Sequence, residues 1–201
     1  MNAPIGKADR RRARLHPARS SRPALIVHTF SEYTHHIRGG AKRLIIDADP
    51  DLWFDLGHVP HGVDVKIIGQ SCAGISGGSI AAAGRCFLQA CHRARVTAYE
   101  FAHVEAFDGV TIEARGKSHI VGTDHAKIRA EDQAVVFAHS QCHVQAAGHT
   151  LVAATDTSSV SVNGDAHVRA SAGVHIIGVP QPRNLSIEPR PISRLANQLN
   201  M

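Results

Sequence analysis

At 201 residues the chain has the length of one domain. Its formal charge of +5 sits at one end: the first 22 residues hold seven Lys or Arg against one Asp, leaving the remainder near −1. Basicity therefore belongs to the tail, which weakens the case for a positively charged groove along the body. No stretch has the apolar core of a secretory signal or the length of a membrane span, so a soluble, cytoplasmic protein with no membrane partner is expected.

Residues 1–22 read as a disordered arm carrying Arg10, Arg11, Arg12, Arg14, Arg19 and Arg22. Such an arm can contact phosphates with an affinity that falls steeply as salt rises, which makes nucleic-acid or acidic-surface binding one candidate function. Aromatic side chains are absent from it, so base-specific recognition has no support.

Residues 23–70 are expected to cap the repeats C-terminal to them. Short strands are predicted over Ala24 to Phe30, Arg43 to Ala48 and Val63 to Ile68, with a turn at Asp49-Pro50-Asp51 and the only Trp, Trp53, beside Phe54. His58 and His61, near Asp55 and Asp64, form a weak metal candidate, as does His35-His36; neither has the ligand spacing of a recognised site.

From Ser79 onward the chain repeats every eight residues over residues 71–179, starting with a degenerate octad at Ser71 to Gly78 that places Cys72, Gly74 and Gly78 inward. The second position of thirteen octads is aliphatic, from Ile80, Leu88 and Val96 to Val168 and Ile176. The fourth is Ala, Gly or Val throughout, as in Ala82, Ala90, Ala98 and Gly122, and the eighth is small, as in Cys86, Ala94 and Ala102. Eight, two and four are spaced by two, the alternation of a strand with one buried face. Ten of the thirteen sixth positions are Gly, Asp, Ser or Pro, which supply a corner. A period of eight fits no helical supercoil.

One octad is therefore a strand and a corner, and stacked octads make an all-β solenoid, a parallel β-helix. Two octads per coil give a flat, sixteen-residue turn; three give a triangular, 24-residue one. The Ala and Gly columns favour the flat form, since a wide interior lined by small side chains would leave voids.

Alternate octads then separate two outward faces. One carries Arg95, Thr97, Glu113, Arg115, Lys127, Arg129, Glu131 and Gln145. The other carries Phe87, Phe107, Val121, Val135, Phe137, Leu151 and Ala153. An apolar patch across several coils marks a contact surface for a protein partner or a second copy. The flat coil makes His103 and His119 neighbours beside Glu105, a weak metal candidate, whereas the triangular coil stacks His119, His143 and His167; solvated surface histidines are the simpler reading. Cys72, Cys86 and Cys142 are expected inside and Cys91 outside, with no disulfide framework.

Catalytic signatures are lacking. There is no G-x-S-x-G elbow, phosphate loop or dinucleotide fingerprint, and no cofactor is implied. Glu105, Glu113, Arg115, Arg129 and Glu131 could imitate the carboxylate and basic groups of polysaccharide-cleaving β-helices, but short coils leave no long loops for a cleft. The period also differs from that of hexapeptide acyltransferases, and ice-binding Thr arrays are missing. Pro180, Pro182, Pro189 and Pro191 end the repeat, and residues 180–201 form a tail in which Ile192 to Met201 suggest a short helix.

Octads such as Gly164-Asp165-Ala166-His167-Val168-Arg169-Ala170-Ser171 resemble the Gly/Asp-x-Ala-x-Val-x-Ala repeats of bacterial and phage β-solenoid proteins. That resemblance covers about half the chain. It implies a scaffold, adhesin, structural part or inhibitor, and transfers no catalytic residue. The expected function is a non-enzymatic interaction or assembly module.

Overall fold

Each regular strand pairs with the strand sixteen residues later, as when Phe87 aligns with His103 and Thr111 with Lys127, so the coil is the flat one. The computed structural model describes residues 23–178 and 185–188. The Arg-rich arm, most of the proline-bearing segment and residues Ile192 to Met201 lie outside the described residues.

Two parallel sheets face each other. Sheet A holds β1 (Leu25–Val27), β2 (Arg43–Ile46), β4 (Asp64–Ile67), β6 (Ser79–Ala82), β8 (Arg95–Ala98), β10 (Thr111–Ala114), β12 (Lys127–Ala130), β14 (His143–Ala146), β16 (Ser159–Val162) and β18 (His175–Ile177), in that spatial order. Sheet B holds β3 (Trp53–His58), β5 (Cys72–Gly77), β7 (Phe87–Ala90), β9 (His103–Ala106), β11 (His119–Gly122), β13 (Val135–Ala138), β15 (Leu151–Ala154), β17 (His167–Ser171) and β19 (Leu185–Glu188).

The aliphatic and alanine columns meet between the sheets. Leu88, Val104, Ile112, Ile120 and Val136 are fully buried, as are Ala90, Ala98 and Ala106. Gly122 interrupts the alanine column for a steric reason: a Cβ there would lie 2.6 Å from Ile128 Cδ1 and 3.2 Å from Cys142 Sγ. The core is thin enough there that an added methyl group would have to displace the end of the Ile128 side chain.

Corners take the left-handed backbone conformation. Asp108, Asp124, Asp132 and Asp156 have φ between 56° and 61°, and His92 and Glu100, which depart from turn-former composition, adopt the same geometry at 60° and 56°. Several corner carboxylates also tie adjacent coils together. The Gly84 N–H donates to Glu100 Oε2 at 2.8 Å, Gly116 N–H to Asp132 Oδ2 at 3.0 Å, and Ser140 N–H to Asp156 Oδ2 at 2.9 Å. Each carboxylate thus meets a backbone donor sixteen residues earlier that the corner leaves outside the strand ladder.

Residues 23–70 do more than cover the first coil, because β1 to β4 belong to the same two sheets. Their coils are irregular: Leu25 pairs with Leu44, Leu44 with Val65 and Trp53 with Cys72. Strand β3 and helix α1 (Phe30–Arg38) were not among the predicted elements. Thr29 caps α1, its Oγ1 accepting the Glu32 N–H at 3.2 Å while Glu32 Oε2 accepts the His28 N–H at 2.8 Å. The helix buries Tyr33 and sets Phe30 edge-on to Phe54, so it closes the core beside β3.

The degenerate octad is shifted by one residue from expectation. Cys72 pairs with Phe87 across a fifteen-residue coil, so Ser71, Ala73 and Ile75 point inward while Cys72 and Gly74 are half-exposed. One residue fewer in a coil flips every side chain of the strand.

Candidate functional site: the outward surface of sheet B

Because sheet B is parallel and in register, its outward side chains stack into columns. One column runs Phe87, His103, His119, Val135, Leu151 and His167; its neighbour runs Gln89, Glu105, Val121, Phe137, Ala153 and Arg169. The predicted apolar residues Phe87, Val121, Val135, Phe137 and Leu151 therefore share one surface. Phe137 is 37% exposed and Leu151 49%. Phe107 follows the last residue of β9 and stands at the rim, beyond the strand.

The columns are tied together by ring contacts. Trp53 and Phe87 have centroids 6.3 Å apart, Phe87 and His103 5.3 Å, His103 and His119 4.6 Å, and His119 and Phe137 5.1 Å. Trp53 reaches across β5 because Gly74 leaves space: a Cβ there would lie 3.0 Å from the Trp53 ring. The rings are tilted by 31° to 49° to one another, at separations where aromatic pairs attract. Composition alone did not reveal the ladder, although one Trp and alternating Phe and His at matching octad positions are its sequence signal.

The imidazoles are embedded in this ladder. His103 Nε2 and His119 Nδ1 are buried with no hydrogen-bond partner, and burial together with the His103 charge lowers the His119 pKa from its ordinary value. Glu105 accepts a hydrogen bond from Gln89 Nε2 at 3.0 Å. Beyond Phe137 the surface dips into a groove of about 390 Å³ lined by Val135, Phe137, Leu151, Ala153, His167 and Arg169.

The opposite surface, on sheet A, has another character. Arg115 lies 3.3 Å from Glu113 and 3.8 Å from Glu131, and Arg129 lies 2.8 Å from Glu131. These exposed ion pairs satisfy one another and leave a polar, solvated face. Glu105 stands on the far sheet, so the five charged residues compared with polysaccharide-cleaving enzymes are not brought together.

The metal candidates separate in the same way. His103 and His119 are neighbours, as the flat coil implies, and their rings pack against each other at a 31° tilt with centroids 4.6 Å apart. His143 lies on sheet A, away from His119 and His167, so the triangular grouping does not form. His58 ends β3 with its ring packed over Gly77, while His61 lies in the following loop; both line a groove of about 440 Å³ with Arg93 and Arg95. Asp64 sits 3.6 Å from Arg43. Among the described residues no three His, Cys, Asp or Glu side chains group as metal ligands. All four cysteines are free thiols, and burial pushes Cys86 and Cys142 up to about 11, which keeps them protonated and inert.

No family model, curated protein or solved structure matches the chain.

Proposed function

We propose that this chain is a non-enzymatic assembly module that binds a second copy of itself through the outward surface of sheet B. One observation carries the reading. From β11 to β15 both outward columns hold only aromatic, aliphatic and imidazole side chains, and the column from Phe87 to His167 continues that strip on either side, whereas the same backbone on sheet A presents ion pairs. Depletion of charge at the centre of an aromatic-rich patch is the compositional mark of an interface. The resemblance to bacterial and phage octad-repeat solenoids implies a scaffold, adhesin, structural part or inhibitor, all of them non-enzymatic roles that work through a protein surface.

Replacing Val135 and Phe137 together by Lys puts two charges at the centre of the strip, on outward positions where the core is untouched. The expected result is a folded protein of monomer mass by light scattering, where the unsubstituted chain shows a larger one. An unchanged assembled mass would remove this surface from the account. A wild-type chain that stays monomeric but loses a heterologous partner on the same substitution would redirect the reading to that partner.

A second reading rests on the net +6 of residues 1–22, which would bind phosphates. Deleting those residues and measuring DNA and RNA retention at two salt concentrations tests it. Retention that depends on the arm and falls steeply with salt supports this activity.

A further inference from the structure

Taking histidine as neutral, only two formally charged side chains occupy outward strand positions of sheet B from β5 to β17: Glu105 on β9 and Arg169 on β17. They carry opposite signs, share one column, and lie the same number of strands from β13 on either side. Strand β13 itself carries Val135 and Phe137 at the outward positions.

We propose that two copies pack sheet B against sheet B about a two-fold axis that runs parallel to the strands and over β13, an inference that rests on the self-association reading above. Rotation about such an axis preserves strand direction and reverses strand order. It places β9 on β17 of the second copy and β11 on β15. Glu105 then faces Arg169 of the second copy, and the symmetry makes this contact twice. Val121 faces the small Ala153, His119 faces Leu151, and Phe137 meets its own image on the axis. An isologous interface must be self-complementary, and this one is so in charge as well as in side-chain size.

The other in-plane axis, along the solenoid, lays each strand on itself. Arg169 would then lie near its own image, as would Glu105, so like charges meet at both positions. Seven strands from β7 to β19 at about 4.8 Å, each about 13 Å long, give a footprint of roughly 450 Å² per copy, below the range of stable interfaces and within that of weak, transient ones. The dimer is therefore a reversible one whose population follows concentration.

The test uses the full chain with the half-exposed thiols removed as Cys72→Ser and Cys91→Ser. Glu105→Cys and Arg169→Cys are made separately and treated with a bis-maleimide that spans the roughly 10 Å between packed sheets but not the roughly 19 Å from β9 to β17. Neither variant links to itself, and an equimolar mixture yields a covalent dimer. In parallel, Glu105→Arg and Arg169→Glu each weaken dimerisation roughly tenfold, and the double reversal restores it. A mixture that fails to link, or Glu105→Cys linking to itself, while Val135→Lys with Phe137→Lys still abolishes the dimer, overturns this axis and leaves the self-association reading standing. A wild-type monomer at every concentration overturns both.

Discussion

The two outward surfaces share one backbone, one register and one core, yet they differ in what they can bind. On sheet A, Glu113, Arg115, Arg129 and Glu131 neutralise one another at the surface, whereas sheet B aligns Phe87, His103, His119 and Phe137 into a ring ladder. The fold is indifferent to this contrast, because the outward columns contribute little to the buried ladders that hold the coils together. Specialisation in a solenoid is thus written in the residues that the repeat pattern leaves free.

Breaking the shared core should affect both sheets alike. Ile112→Ala on sheet A and Ile120→Ala on sheet B each remove a fully buried side chain and should cost about 2–5 kcal/mol in denaturant unfolding. A loss on only one sheet would contradict a common core. Gly122→Ala tests how thin that core is. The added methyl must displace Ile128 Cδ1 or Cys142 Sγ and should cost about 1–3 kcal/mol, although alanine is the rule in that column.

Outward substitutions sharpen the contrast instead. Glu131→Ala removes a carboxylate shared by Arg115 and Arg129 and should change stability by no more than about 0.5 kcal/mol without altering assembled mass. Phe137→Lys on sheet B should alter assembly while leaving the unfolding midpoint of the monomer within a similar margin. Equal effects of these two variants on assembly would erase the distinction between the faces.

The smallest expected effect is a pH dependence confined to sheet B. Burial, and secondarily the charge of His103, holds His119 below its ordinary value of 6.5. The unfolded chain therefore takes up this proton more readily, so the stability is present above about 6.5 and declines as pH falls through the lowered folded value. The groups facing this pair on the outward surface are Glu105 on β9, Phe87 and Gln89 on β7, and Val135 and Phe137 on β13. Unfolding of His119→Phe, followed from pH 7.5 to 5, should lose that part of the decline; an unchanged profile would exclude His119 as its source.

Much of this architecture is legible in the sequence because eight residues make a strand and a corner in every octad from Ser79 to Ile176. Alanine at the fourth position selects the flat coil, and alternate octads sort Val135 and Phe137 from Lys127 and Arg129. The N-terminal coils are less legible because no fixed period links Leu25 to Leu44 or Leu44 to Val65. Helix α1 leaves a capping signal in Thr29-Phe30-Ser31-Glu32 that an extended reading of Ala24 to Phe30 passes over. Cys72 falls on the opposite face from the one expected because a fifteen-residue coil cannot be seen in a pattern of eights. The corner carboxylates announce turns, but their bonds to the preceding coil exist only in three dimensions.

The self-association of sheet B is tested most directly by sedimentation equilibrium of the unsubstituted chain across a wide concentration range, beside the Val135→Lys, Phe137→Lys double variant. The account predicts a mass that climbs from 21.5 kDa toward twice that value for the unsubstituted chain and stays at 21.5 kDa for the variant. A single mass shared by both proteins at every concentration would contradict it.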